Sequence, residues 1–153
     1  MRIEYINPFV EASFDILNEV LQTTVKRGQL YLKKLGESMK GVAVVVGVIG
    51  NLKGRIVFDL SEETAIKIAS KLNGEEFKTF DEMARSTISE IANMITGRSV
   101  TKLEKDKLNF SFTPPTLITG ENLNIYEYAD MEALIIPIDT GLGIIEINMA
   151  FKE

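Results

Sequence analysis

The sequence predicts an α/β fold of the α+β kind, a pseudo-symmetric domain with long helices packed on a mainly antiparallel sheet. Three observations carry this. A Val-rich apolar run over residues 42–49 breaks at Gly50-Asn51-Leu52-Lys53-Gly54 and resumes over 55–60, the pattern of a β-hairpin with a Gly-bearing turn. Helix-start signals precede apolar residues at helical spacing in three places. The set of helix, apolar strand, Gly-flanked turn and second strand also occurs twice, over residues 6–60 and 80–151, with 42–60 and 133–151 as the matching hairpins.

Residues 6–24 read as the first helix, with Asn7 as N-cap and Pro8 at the first helical position. Phe9, Ala12, Phe14, Ile16, Leu17, Val20 and Leu21 supply its apolar positions. The mixed polar stretch 25–40 holds a strand around 29–35 and a loop. After the hairpin, Ser61 caps a second helix whose first turn carries Glu62 and Glu63, where the helix dipole favours anions. Asn73-Gly74 ends it. Thr79-Phe80-Asp81-Glu82 matches a capping box with Thr79 at N-cap, and a long helix follows to about residues 102–104. Alternation over 108–113 marks a half-buried strand that Pro114-Pro115 stops. Residues 117–130 read as a polar connection. A strand over 131–138 is marked as an edge or bulged strand by Pro137. Gly141-Leu142-Gly143 then turns the chain into a last strand over 144–151.

At 153 residues the chain is most simply one domain, 1–153. Its 45% hydrophobic and 25% charged residues fit a soluble globular protein. There is no run of about 18 apolar residues to span a membrane and no apolar segment of a secretory signal. The absence of Cys excludes disulfides, thiolate metal sites and a Cys nucleophile, and fits a reducing cytoplasm. The absence of His excludes a Ser-His-Asp triad, His-ligated zinc and the commonest general acid/base. A net charge of −5 argues against nucleic acid as a partner, because phosphate binding needs a basic face.

Any chemistry must therefore run on carboxylates, amides, hydroxyls, Lys or a partner's groups. The run 86–97, Ser-Thr-Ile-Ser-Glu-Ile-Ala-Asn-Met-Ile-Thr-Gly, is the strongest candidate. On a helix, Ser86, Glu90, Asn93 and Gly97 fall within roughly 60° of one another, with Ala84, Ile88, Ile91 and Ile95 on the other side. The predicted result is a helix docked by one face and presenting a carboxylate and a carboxamide, one turn apart, on the other. Asn and Gly are both poor helix-interior residues, so their sharing this stripe counts against simple solvated surface. Elsewhere Glu62-Glu63 and Glu75-Glu76 are explained by helix-dipole and surface charge. The 50–54 turn lacks the Lys-Ser/Thr of a phosphate-binding loop, and the six Met are scattered core filler.

Ser86-x-x-x-Glu90-x-x-Asn93 resembles the Ser/Asp-x-x-x-Glu-x-x-Asn signature of the CheC/CheX/FliY phosphatases of bacterial chemotaxis, and Asn93-Met94-Ile95-Thr96-Gly97 resembles that family's Asn-Met-x-x-Gly. Ile6-Asn7-Pro8-Phe9, Gly47-Val48-Ile49-Gly50 with Gly54, Ser61-Glu62-Glu63-Thr64-Ala65 and Thr113-Pro114-Pro115-Thr116 extend the likeness over most of the chain. The first helix has Leu17 and Val20 where a second signature copy would place Glu and Asn. With one intact copy and this length, the chain is similar to the CheX-like branch.

The resemblance implies a hydrolase for the aspartyl phosphate of a CheY-type response regulator. The phosphorylated partner would bring the phospho-Asp, a Mg2+ and a Lys, so the chain needs no cofactor or metal of its own. Asn93 would orient the attacking water and Glu90 would pair with the partner's Lys, with Ser86 supporting and Gly97 permitting close approach. The resemblance also implies a homodimer formed through the sheets, with the strand at 131–138 as a contributor; the alternative for that strand is an exposed edge that Pro137 protects from pairing. Two other readings stand beside the enzyme: a CheX-like adaptor that docks a response regulator without turnover, and a structural role like that of the flagellar switch components.

Overall fold

The structure, a computed structural model, describes residues 3–33, 39–125 and 132–152. Its order is α1 (Ile3–Leu21), β1 (Lys26–Arg27), β2 (Tyr31–Lys33), β3 (Gly41–Gly50), β4 (Lys53–Ser61), α2 (Glu62–Asn73), α3 (Glu82–Lys105), β5 (Phe110–Phe112), β6 (Thr116–Thr119), β7 (Ala133–Asp139) and β8 (Ile144–Lys152). Every strand pair is antiparallel, and the sheet runs β1-β7-β8-β4-β3-β5, with β2 also on β7 and β6 also on β3. The repeated hairpins β3-β4 and β7-β8 meet at the centre, where β4 pairs with β8 from Lys53↔Lys152 to Asp59↔Glu146. That is the pseudo-symmetry expected from the sequence. No helix among the described residues is long and apolar enough to cross a membrane.

Alternation puts Val42, Val44, Val46 and Val48 of β3, Ile56, Phe58 and Leu60 of β4, and Ile145, Ile147 and Met149 of β8 into one core with the helices. From α1 come Phe9, Ala12, Ile16, Leu17 and Leu21. Edge-on rings join Phe9 to Phe112 at 5.4 Å and Tyr5 to Phe110 at 5.6 Å, tying α1 to β5.

Several local expectations are corrected. The first helix begins at Ile3, so Asn7 is not its cap, and Pro8 sits inside it near the amino end, where its missing N–H forfeits only one ladder bond. Asp81 rather than Thr79 caps α3, its Oδ1 accepting from the Ala84 N–H at 2.9 Å. The supposed polar connection contains β6. Pro114-Pro115 interrupts a strand rather than ending it: Val48 faces Phe112 and Val45 faces Thr116, so the 113–115 side carries one residue more than β3 offers, a bulge. Of the edge or bulge expected at Pro137, the bulge is what is seen, and β7 is not an edge. Arg27 faces Ile138 but Tyr31 faces Ile135, so one extra residue lies between β1 and β2, opposite Pro137. The carbonyl of Pro137 accepts from the Gly28 N–H at 2.8 Å. Proline thus lies at a bulge toward each end of the sheet, one of the places that tolerate a residue without an N–H. The expected strand over 29–35 is seen as β2, and residues 34–35 lie outside the described residues, as does Met131.

Gly54 meets the facing strand closely. A Cβ there would fall on the Ala150 carbonyl oxygen and lie 2.9 Å from the Phe151 Cα, both backbone atoms of β8. Gly54→Ala is therefore expected to destabilise the fold by about 1–3 kcal/mol or more, read as a lower urea midpoint with the slope preserved.

On the sheet face turned away from the helices, Asp59 is 1% exposed and accepts from the Lys40 N–H at 2.9 Å. Burial pushes its carboxyl above the ordinary 3.8; the Lys40 N–H and the charges of Lys33 and Lys40 pull it back only in part, and Glu146 adds to the rise. Burial acts on Glu146 too, but Lys40 Nζ at 2.8 Å and the Tyr31 hydroxyl outweigh it, with Lys33 helping, and hold that carboxyl below 4.5. A native pKa above the unfolded one makes ionised Asp59 a penalty on the fold. The penalty is absent below about pH 3.8, grows as pH rises through the native value, and persists above it. Asp59→Asn keeps the acceptor for Lys40 and removes the charge. It is expected to raise the urea midpoint at pH 7 and leave it unchanged near pH 3.

Candidate functional site

Ser86, Glu90, Asn93 and Gly97 all lie on the exposed side of α3, while Ala84, Ile88, Ile91, Ala92 and Ile95 on its other side are buried. The stripe thus has the amphipathic placement expected from its spacing. Neither the Glu90 carboxylate nor the Asn93 carboxamide has a hydrogen-bond or ionic partner among the described residues. Both are free to meet a ligand.

The helix beneath them is held on three sides. Small buried residues, Ala12 and Ser13 on α1 and Ala92, Thr96 and Ser99 on α3, let those helices pack closely. The Ser13 and Ser99 hydroxyls satisfy themselves on carbonyls one turn back, at 2.7 and 2.8 Å. Outside this seam Arg98 grips Glu19 with two bonds of 3.1 Å, and Lys102 lies 3.4 Å from Glu11 and 3.3 Å from Asp15. Solvent-exposed pairs of this kind add little to stability, so their effect is on register. On the α2 side, Asn73 Nδ2 bonds Thr87 Oγ1 at 2.9 Å and the Ala69 carbonyl at 2.7 Å. Below, the α3 core residues meet the apolar face of the sheet. A rigid helix presents side chains more accurately than a loop would.

Two open grooves flank the stripe. One, of about 550 Å3, runs between α3 and the Pro114-Pro115 bulge and includes Arg85, Ser86, Ser89, Glu90 and Asn93. The other, of about 540 Å3, runs along the α1 and α2 side past Val20, Leu72, Asn73, Thr87, Glu90 and Met94. Glu90 and Ser86 belong to both, so the stripe is a ridge between two troughs. Sequence reasoning missed Arg85, Leu72, Asn73 and the proline bulge as neighbours of the ridge. The first three carry no signal beyond ordinary helix patterning, and the prolines had read only as a strand stop.

A Cβ at Gly97 would meet no atom within 4 Å, so nothing in the chain's own packing calls for glycine there. Its roughly 1 kcal/mol disadvantage in a helix interior is left without an internal cause. No group of three or more His, Cys, Asp or Glu able to hold a metal ion occurs among the described residues.

A family model described as chemotaxis phosphatase CheX matches residues 42–139, which include β3 from Val42 onward, β4, all of α3 and both grooves' ridge residues. The CheY-P phosphatase CheX of Thermotoga maritima is 30% identical over 129 residues, covering 84% of this chain and 83% of that protein. A CheC-like superfamily protein from a Shewanella species, strain PV-4, superimposes with a TM-score of 0.90 at 26% identity, each chain fully covered. The CheX-CheY-BeF3-Mg2+ complex from Borrelia burgdorferi contains a chain 40% identical to this one, with a TM-score of 0.85 and coverage of 99% and 100%. Both the matched span and the identity over most of the chain place this protein in the chemotaxis phosphatase CheX family.

Proposed function

We propose that this chain dephosphorylates a CheY-type response regulator, with Asn93 orienting the attacking water and Glu90 docking the partner. The observation that carries the reading is the pair itself: an unpartnered carboxylate and an unpartnered carboxamide, one turn apart on the exposed face of a firmly held helix. Family membership and the 40% identical chain found with CheY, BeF3 and Mg2+ support it.

An aspartyl phosphate is an acyl phosphate and already activated, and its phosphoryl group transfers through a loose transition state. Water oxygen bonds to phosphorus as the bond from phosphorus to the carboxylate oxygen breaks. The Asp leaves as its carboxylate, and the water's proton ends on the released phosphate. No strong base is required, which suits a chain without His. The catalyst must hold the water in line, and a carboxamide can accept one bond from that water and donate another, fixing both its place and its orientation. Mg2+ held by the receiver supplies neutralisation of the phosphoryl oxygens. Glu90, about 4.5 Å farther back along the helix axis, is set to pair with a receiver Lys and to seat the helix against the phosphorylation site. Gly97 at the end of the ridge leaves room for the partner's backbone. Two copies of the chain, joined through their sheets, complete the proposed assembly.

The test is the decay of a phosphorylated receiver, with Mg2+ present, in the presence and absence of the chain. Faster decay in catalytic amounts is expected. Binding with no acceleration would favour an adaptor, and neither binding nor acceleration across the organism's receivers would sink the reading.

A further inference from the structure

Asn73, the last residue of α2, is exposed, yet its carboxamide is fixed from two sides. Its Nδ2 donates to the Ala69 carbonyl at 2.7 Å and to Thr87 Oγ1 at 2.9 Å. The Thr87 hydroxyl donates its own proton to the Met83 carbonyl at 2.9 Å, so toward Asn73 it can only accept, as the Ala69 carbonyl must. Turned over, the amide would set its oxygen against two acceptors. Both N–H donors are therefore used, and Oδ1 is left with no hydrogen-bond partner among the described residues. Where an ordinary surface asparagine turns freely in water, this one is a locked acceptor.

Thr87 stands three residues before Glu90, so the two are helix neighbours with Cβ atoms about 5–6 Å apart. The bond to Thr87 thus holds the Asn73 carboxamide on Glu90's side of the ridge, and both residues line the groove that runs past α2. The carboxy end of α2 adds the negative pole of its dipole there. No Lys or Arg lines this groove, and Lys71, in the last turn of α2, makes no ion pair with Glu90. A carboxylate, a fixed amide oxygen and a helix carboxy end meet with no cation of the chain's own to satisfy them.

We propose that Asn73 Oδ1 and the Glu90 carboxylate together form a receptor for one ammonium group, the lysine of the response regulator, with Asn73 as a specificity-determining residue. The inference rests on the proposed function for the identity of the partner and deepens it. The chemistry of the occupant follows from the acceptors. An ammonium carries a single positive charge and three N–H donors, which can be divided between a carboxylate and a separate neutral oxygen. A guanidinium is suited instead to two parallel bonds with one carboxylate. One carboxylate and one amide oxygen are too few to make a calcium site, which takes six to eight oxygens.

The experiment measures binding of the full chain to a receiver loaded with beryllofluoride and Mg2+, which needs no turnover, and then KM and kcat with the phosphorylated receiver. Asn73→Ala is expected to weaken binding about fivefold and to raise KM alike, with kcat unchanged. Thr87→Ala breaks the same α2–α3 bond but keeps the Asn73 oxygen, and is expected to bind within about twofold of wild type. Because one ammonium is shared, Asn73→Ala is expected to cost little further affinity when added to Glu90→Ala. Wild-type affinity in Asn73→Ala would overturn the receptor and leave the phosphatase reading standing. An equal loss in Thr87→Ala would make Asn73 a brace between helices, and fully additive losses with Glu90→Ala would place it on a different group; either overturns the receptor. If the wild type binds the loaded receiver but does not speed its dephosphorylation, the phosphatase reading falls and the binding data alone judge Asn73. If the wild type binds no receiver, both are overturned.

Discussion

Asn93→Ala is expected to lower the receiver-dephosphorylation kcat on the order of 10²-fold while leaving KM close to wild type. Asn93 is exposed and its side chain makes no hydrogen bond among the described residues, so its loss removes no packing seen there and leaves α3 in place. What disappears is the group that holds water in line. That interaction exists in the reacting complex and adds little to docking, so its removal falls on the transition state and not on association. Single-turnover decay at saturating enzyme isolates the step. Asn93→Asp is expected to fail nearly as badly as Ala: a carboxylate accepts from water but cannot donate, and it brings a negative charge toward the phosphoryl oxygens. Full activity in Asn93→Ala would remove water orientation from this residue.

Much of the fold is legible because its signals are local and repeated. Val42, Val44, Val46 and Val48 alternate, the Gly50–Gly54 turn joins two strands, and Ser61 with Gly74 brackets α2 with a cap at each end. The ambiguous places are those where tertiary contact decides. Thr79 and Asp81 are both acceptable caps, and the burial of Phe77 and Phe80 before the helix goes with the later start. Thr116–Thr119 is a strand only because β3 offers it a free edge beyond the proline bulge, a partner about 70 residues away in sequence. Pro137 signals a strand irregularity, but whether that means an edge or a bulge depends on β1 and β2, which are too short to be read by period.

The ridge itself was legible for the opposite reason: one helix carries all of it, so 3.6-residue periodicity places Ser86, Glu90, Asn93 and Gly97 together without any tertiary information. Its flanks were not, since they combine α3 with residues from α1, α2 and the 113–117 segment. A motif on one element can be found from spacing, whereas a docking surface built from four elements requires the packed molecule.

Glu90→Ala is expected to show the complementary kinetics to Asn93→Ala: binding of the beryllofluoride-loaded receiver weakened by about 30-fold or more, with KM rising in step. Removing one partner of a buried, hydrogen-bonded charge pair at an interface costs about 2–5 kcal/mol, much of it from the opposite charge left desolvated and unpaired. In the free chain Glu90 is exposed and solvated, so the substitution leaves the fold's stability nearly unchanged and the loss is confined to the complex. Glu90→Gln keeps the shape and a hydrogen-bond acceptor but loses the charge. It is expected to fall between wild type and Ala, and to respond less to added salt than the wild type does. At saturating receiver, Glu90→Ala then retains a substantial kcat, because Asn93 still holds the water once the helix is seated. Should Glu90→Ala instead collapse kcat at unchanged affinity, the carboxylate would be acting on the transition state, by holding the receiver's Lys against the phosphoryl oxygens, and the division of labour along the helix would have to be redrawn with both residues on the catalytic side.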